Sequence, residues 1–299
     1  MKLNGIFPAL TTPFASDGAL DLEALRANIS RYDSLPLAGY VVIGSTGESV
    51  FLNRGEIAEI LRAVREAAAP GKILIAGTGA ESTAETISRT AEAAHLGYHC
   101  ALVKTPHFYQ PMMTPESYIK HYQRVADASP IPVLLYSVPR FTGVALRADV
   151  VGRLAEHRNI IGMKDSSGNI GELGAILASA PGAFQLLTGA AYAVYPSMAL
   201  GAKGAILAVA DFLPEMCLEL YSAVVANDAA GARELQRRVS IAARSIAGPF
   251  GISGVKYAMD CRGYRGGAVR NPLLPLADAQ KRSVEAVLST VASTANHAG

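Results

Sequence analysis

Ile160-Ile161-Gly162-Met163-Lys164-Asp165-Ser166-Ser167-Gly168-Asn169 decides how this chain is read. The stretch opens as an apolar run with strand character and closes in a polar turn rich in Ser, Gly and Asn. Lys164 sits at the seam. Such a run reads as a buried strand delivering one side chain to the end of a sheet. Lysine is rarely buried without a partner. Lost hydration disfavours the ammonium and favours the free amine, a nucleophile. The competing reading is a snorkelling lysine whose stem packs while its head reaches water.

The same pattern, an apolar run and then a helical segment, repeats on both sides of this stretch. Strand-like runs are expected at residues 6–10, 40–43, 72–76, 98–104, 132–136, 160–164, 184–187 and 204–209. Helices are expected near residues 21–35 and 53–68, the second opened by the capping pair Asn53 and Glu56. Ser82 with Glu85 starts the next, and Thr114-Pro115 caps the one after it.

Eight strand–helix units without a composition break fit an α/β fold, the parallel (β/α)8 TIM barrel. A doubly wound sheet would carry a Gly-rich phosphate turn after its first strand. The only candidate, Gly77-Thr78-Gly79, follows the third strand and has Ser82 where the third glycine belongs. The remaining segments read as helices, interrupted at Phe250-Gly251-Ile252-Ser253-Gly254-Val255 and at Gly263-Tyr264-Arg265-Gly266-Gly267. The expected division is a catalytic barrel over residues 1–224 and a C-terminal helical extension over residues 225–299, with the last six residues frayed.

The 299 residues are 50% hydrophobic with a net charge of +2, enough for a large core and without the charge blocks of a nucleic-acid footprint. No apolar run approaches a membrane span and no export signal opens the chain. Cys100, Cys217 and Cys261 are scattered, so a cytoplasmic setting with reduced cysteines is expected. His95 and His99 lie at i, i+4 without a HExxH pattern, and no metal site is expected.

A barrel of this kind collects its chemistry at the C-terminal ends of the strands. There stand Gly44-Ser45-Thr46-Gly47-Glu48, Tyr136 and Lys164. Ser45 and Thr46 between glycines offer N–H and O–H donors to a small carboxylate, or form an ordinary Ser/Thr turn. Tyr136 would project beside Lys164 as a proton relay, or serve as a core tyrosine bonded at the rim. Lys104 also ends a strand and is the rival nucleophile, without a tyrosine in the strand before it. Together these parts suggest a lysine amine that adds to the ketone of a 2-oxo acid and loses water to an imine. The imine is an electron sink that lets a neighbouring C–C bond break, and no cofactor is required.

Gly44-Ser45-Thr46-Gly47-Glu48, Tyr136-Ser137-Val138-Pro139 and Gly162-Met163-Lys164-Asp165-Ser166, in this order and spacing, resemble the dihydrodipicolinate synthase/N-acetylneuraminate lyase family along nearly the whole chain. The resemblance implies a Schiff-base lysine (Lys164), a proton-carrying tyrosine (Tyr136) and a carboxylate-binding Ser45-Thr46 pair. It places Gly189 and Ile206 in the same pocket and implies a homotetramer built as a dimer of tight dimers. Two positions depart from the synthase pattern. The arginine that binds a second carboxylate is matched by Phe141, with Arg140 one residue earlier. The relay tyrosine lent by a neighbouring subunit is matched by Phe108, with Tyr109 next to it. Either Arg140 and Tyr109 substitute through local backbone shifts, or the substrate differs. Ser137, the Gly44–Glu48 turn and Phe250-Gly251-Ile252-Ser253-Gly254-Val255-Lys256 look similar to 4-hydroxy-2-oxoglutarate aldolases of that family, which give pyruvate and glyoxylate. That activity is the leading expectation. The alternatives are a synthase joining pyruvate to aspartate semialdehyde, a 2-keto-3-deoxy sugar acid aldolase or dehydratase, and a non-catalytic ligand-binding barrel.

Overall fold

Each expected apolar run forms a strand in the computed structural model, which describes residues 1–293; the expected fraying of the last six residues falls outside them. The strands are β1 Gly5–Pro8, β2 Gly39–Val42, β3 Ile73–Gly77, β4 Cys100–Lys104, β5 Val133–Ser137, β6 Ile160–Asp165, β7 Gln185–Thr188 and β8 Gly204–Leu207. All pair in parallel in the order β1-β8-β7-β6-β5-β4-β3-β2. The Ala9–Val41 bridge brings β1 back to β2, with the Leu10 N–H donating to Val41 O at 2.9 Å. The sheet is therefore the nearly closed wall of a (β/α)8 barrel.

Strand bounds differ from expectation by a residue or two, for local reasons. Ile43 leaves β2 because its φ is +51°, outside the extended region. The eighth run stops at Leu207 because Val209–Asp211 coils into a 3-10 turn. Close pairing constrains side chains too. A Cβ on Gly39 would stand 1.9 Å from Ile73 O, so only glycine fits between β2 and β3.

Phe7, Val41, Ile75, Leu102, Leu134, Leu187 and Ile206 fill the barrel interior, packed as a core and not as a pore. Two further clusters join the outer strand faces to the helices. The helix starts follow the capping logic. Asn53 and Glu56 close a full capping box on Arg54–Ala67, Ser82 accepts from the Glu85 N–H, and Thr114 caps Pro115–Ala128 with proline at its first position.

After Pro214–Val225 come Ala229–Ala242, a π-helical turn Ala243–Ala247, Gly248–Cys261 and Asp278–Ser293. The interruption expected near Phe250 is a kink within one helical run, centred on Gly251 at φ 55°, ψ −139°. The Gly263-to-Gly267 stretch is a genuine break, and it returns the chain to Phe14 of the first loop. None of the described helices is long and apolar enough to cross a membrane.

Candidate active site

The strand register places Lys104, Tyr136 and Lys164 on one rung, across β4, β5 and β6. Lys104 ends β4, and Tyr136 and Lys164 stand one residue before the ends of β5 and β6, so position along the strand alone does not choose between the lysines. Their surroundings do. Lys104 Nζ is 2.8 Å from Glu81 Oε1 and 3.4 Å from His107 Nδ1. Burial alone would lift the Glu81 carboxyl, but hydrogen bonds from Lys104 and from the His107 and Phe108 amides outweigh it and hold the group at about 2. Lys104 is thus tied into a closed cluster with Glu81 and His107.

Lys164 is 4% exposed. Among the described residues its amine has no hydrogen bond and no carboxylate within ion-pair distance. Its Nζ lies 4.4 Å from the centre of the Tyr136 ring. An aromatic face is a weak partner for a cation. It leaves the nitrogen lone pair available once the proton has gone. With only 4% of the residue exposed, the lysine does not extend to the open surface as a snorkelling side chain would.

Tyr136 is also buried, and its hydroxyl stands 3.4 Å from Ser45 Oγ. The phenol therefore bridges the amine and the Ser45-Thr46 turn. That turn is tightly wound: the Gly47 N–H donates to Gly44 O and the Glu48 N–H to Ser45 O. Among the described residues the amide N–H groups of Ser45 and Thr46 have no acceptor within the chain. Successive unbonded N–H groups beside a hydroxyl are the kind of donor set that can bind a small anion.

Two cavities open at this end of the barrel. The first, of about 240 Å³, is lined by Tyr136, Arg140, Lys164, Ser166, Gly189 and Ile206 among others. The second, of about 370 Å³, is lined by Ser45, Lys104, Val138, Phe141 and Ile252 among others. Val138 and Phe141 wall both. Of the residues expected from sequence, Lys164, Tyr136, Gly189, Ile206 and Arg140 therefore meet in one cavity, with Ser45 hydrogen-bonded to its rim. Thr46 is 9% exposed and lines neither cavity. Arg140 spends a guanidinium N–H on Gly248 O at 2.5 Å. Tyr109 is 70% exposed, stacks edge-on against Phe108, and lines neither cavity within this chain.

Gly189 has a steric reason to be glycine. A Cβ there would stand 2.0 Å from Ser166 Oγ and 2.8 Å from Lys164 Cε. Gly189→Ala is expected to push the lysine stem off line and slow imine formation about 100-fold, the cost of roughly 1 Å of misplacement. The check is the rate of borohydride-trappable adduct; a wild-type rate in the folded variant would refute it.

Two groups escaped the sequence reading. Ser166 sits in the quoted stretch but gave no sign of reaching the cavity. Asp211 follows β8, is fully buried, and has no hydrogen-bond partner on either carboxyl oxygen. Burial pushes its pKa well up, and the charge of Lys164 opposes that shift. The available signal was a lone acid inside the apolar run Ala208-Val209-Ala210-Asp211-Phe212-Leu213. Among the described residues no group of three His, Cys, Asp or Glu side chains could hold a metal.

Comparison with known proteins places the chain in a family and bears out the fold. The profile of the dihydrodipicolinate synthetase family matches residues 2–291. A 4-hydroxy-tetrahydrodipicolinate synthase from Methanothrix thermoacetophila is 35% identical over 286 residues, covering 95% of this chain and 96% of that protein. One from Exiguobacterium sp. is 37% identical over 273 residues, covering 91% and 92%. The dihydrodipicolinate synthase of Acinetobacter baumannii, solved with pyruvate, is 30% identical with a TM-score of 0.91, covering 97% of this chain and 99% of that one.

Proposed function

The chain belongs to the dihydrodipicolinate synthetase family, a family of class I aldolase-type lyases, and we propose that it acts on pyruvate through an imine on Lys164. The carrying observation is the buried Lys164 amine with no ion pair, set on the face of Tyr136 beside the Ser45 hydroxyl. Ser45 and Thr46 hold the carboxylate of the 2-oxo acid. Lys164 attacks the ketone carbon, and Tyr136 carries the proton that lets water leave. Tyr136, having given its proton to the departing water, then takes one from the methyl carbon while the C–H electron pair moves into the protonated imine, giving an enamine that adds to an aldehyde. Hydrolysis frees the lysine. No external cofactor is needed, because the imine itself is the electron sink.

For the aldehyde partner the leading reading is aspartate semialdehyde, which makes the protein a 4-hydroxy-tetrahydrodipicolinate synthase. The support is that relatives 35–37% identical over nearly the whole chain carry that name. The 4-hydroxy-2-oxoglutarate aldolase favoured from sequence gives way as leading reading for the same reason. One observation favours a partner aldehyde that carries no carboxylate, such as the one released with pyruvate when a 2-keto-3-deoxy sugar acid is cleaved. Phe141 walls both cavities, and the guanidinium of Arg140 is engaged by Gly248 O. In the synthase reading Arg140 leaves Gly248 to take up the semialdehyde carboxylate. The aldehyde is tested by parallel assays with pyruvate plus aspartate semialdehyde, with 4-hydroxy-2-oxoglutarate and with a 2-keto-3-deoxy sugar acid. The expected result is a kcat/KM for the semialdehyde at least ~10-fold above the others, about 1.4 kcal/mol in the transition state. A higher value for either cleavage substrate would reassign the activity.

Residues 1–224 act as the catalytic barrel and residues 225–299 as its extension in this reading, in a cytoplasmic setting. Assembly as a homotetramer belongs to it as well. The support is the run Phe108, Tyr109 and Met112, exposed by 75, 70 and 75%, an apolar loop that a second copy would cover.

A further inference from the structure

The Ser45-Thr46 turn is bracketed by two residues in the left-handed region, Ile43 at φ 51° and Glu48 at φ 55°. That conformation is unfavourable for a side chain with a Cβ, above all a branched one, and persists only where the surroundings hold it. The Thr12 hydroxyl of the first loop donates to Gly47 O at 2.8 Å, and the charged groups that hold the turn include two from beyond the barrel. Glu48 is 2% exposed, with Oε1 at 2.5 Å from Lys256 Nζ. Its Oε2 accepts the Arg270 backbone N–H at 2.9 Å. Lys256 is 1% exposed and also donates to Ala268 O at 2.6 Å. Arg270 donates to Phe51 O at 2.9 Å and to Gly18 O, and pairs with Glu56 at 2.7 Å. The Phe14 ring has both cations against it, Lys256 at 4.5 Å and Arg270 at 4.2 Å.

We propose that Glu48, Lys256 and Arg270 are positioning residues that fasten the Ser45-Thr46 turn in its carboxylate-binding shape, so that the C-terminal segment sets the affinity for the 2-oxo acid. This rests on the reading of Ser45 and Thr46 given above. The buried pair has to stay matched, because removing one charge leaves the other desolvated and unpaired. The remaining charge then pulls the turn toward water. Glu48 relaxes out of the left-handed region, and the Ser45 and Thr46 N–H groups turn away from the substrate. A turn that grips the carboxylate equally before and during reaction acts on binding, so its loss raises KM more than it lowers kcat.

The test measures borohydride-trapped pyruvate on Lys164 against pyruvate concentration. It compares the wild type with Lys256→Met, Arg270→Gln and the double variant Glu48→Gln/Lys256→Gln. Lys256→Met is expected to raise the half-saturating pyruvate at least ~10-fold, with less than a ~3-fold change in trapping rate at saturation. Arg270→Gln shifts it in the same direction, and the neutral pair restores it to within ~3-fold of wild type. If Lys256→Met does not fold, Arg270→Gln, which leaves the buried pair intact, decides alone. Folded single variants that saturate within about twofold of wild type, or a double variant as weak as Lys256→Met, would overturn the proposal. Absence of any adduct on the wild-type protein removes the imine reading, and this proposal with it.

Discussion

Lys164→Ala is expected to abolish turnover, by at least ~10⁴-fold, the scale on which losing a covalent nucleophile acts. No other lysine can take its place. The nearest candidate by register, Lys104, is bound to Glu81 at 2.8 Å and walls the neighbouring cavity. The variant should also give no borohydride-trapped adduct with pyruvate, while the wild type gives one that maps to Lys164 by mass spectrometry. The fold should survive, because the amine makes no ion pair among the described residues and its removal breaks no hydrogen-bond network. Lys164→Met sharpens the point. It keeps the stem volume and removes a buried polar head, so thermal unfolding should occur at or above the wild-type temperature. Burying an amine without a hydrogen bond costs about 1–3 kcal/mol, and the methionine is spared that cost. Near-wild-type activity in either variant would end the imine mechanism. An inactive variant that unfolds well below wild type would instead make Lys164 a packing residue.

Tyr136→Phe is expected to slow turnover by ~10²–10⁴, the range of a positioned acid–base group. The ring is kept, so the surface facing Lys164 Nζ at 4.4 Å is unchanged. Only the hydroxyl goes, with its long 3.4 Å contact to Ser45 Oγ. A neutral hydrogen bond of ordinary geometry contributes about 1 kcal/mol. A contact this long contributes less, so stability should hardly move. The loss should appear in the rate of imine formation and not in the amount formed after long incubation, because proton transfer governs the approach to equilibrium and not its position. A variant that forms adduct at the wild-type rate would take Tyr136 out of the proton path. A variant that never forms adduct would point to a binding role for the hydroxyl.

The order of elements was legible in the sequence because each strand of a parallel barrel is buried and announces itself as an apolar run. The ends of those runs located Tyr136 and Lys164, since strand ends face the site and adjacent strands are neighbours. Asn53 with Glu56, Ser82 and Thr114 were legible as helix starts because a cap acts over three residues. Tyr109 and Phe108 were legible only as a departure from a family pattern, since their environment is not formed within one chain.

The sequence by itself determined the barrel, brought Tyr136 and Lys164 to neighbouring strand ends, and marked the Ser45-Thr46 turn as either a donor set for a carboxylate or an ordinary turn. These follow from periodicity and short-range chemistry. Only the tertiary structure decided between the lysines. Glu81 reaches Lys104 from another loop, while among the described residues no carboxylate lies within ion-pair distance of Lys164, a difference of long-range placement that no local pattern encodes. It also tied Glu48 to Lys256 and Arg270, and buried the Asp211 carboxyl without a hydrogen-bond partner. In each case the energy of a charge depends on what surrounds it in space, and chain neighbours are a small part of those surroundings.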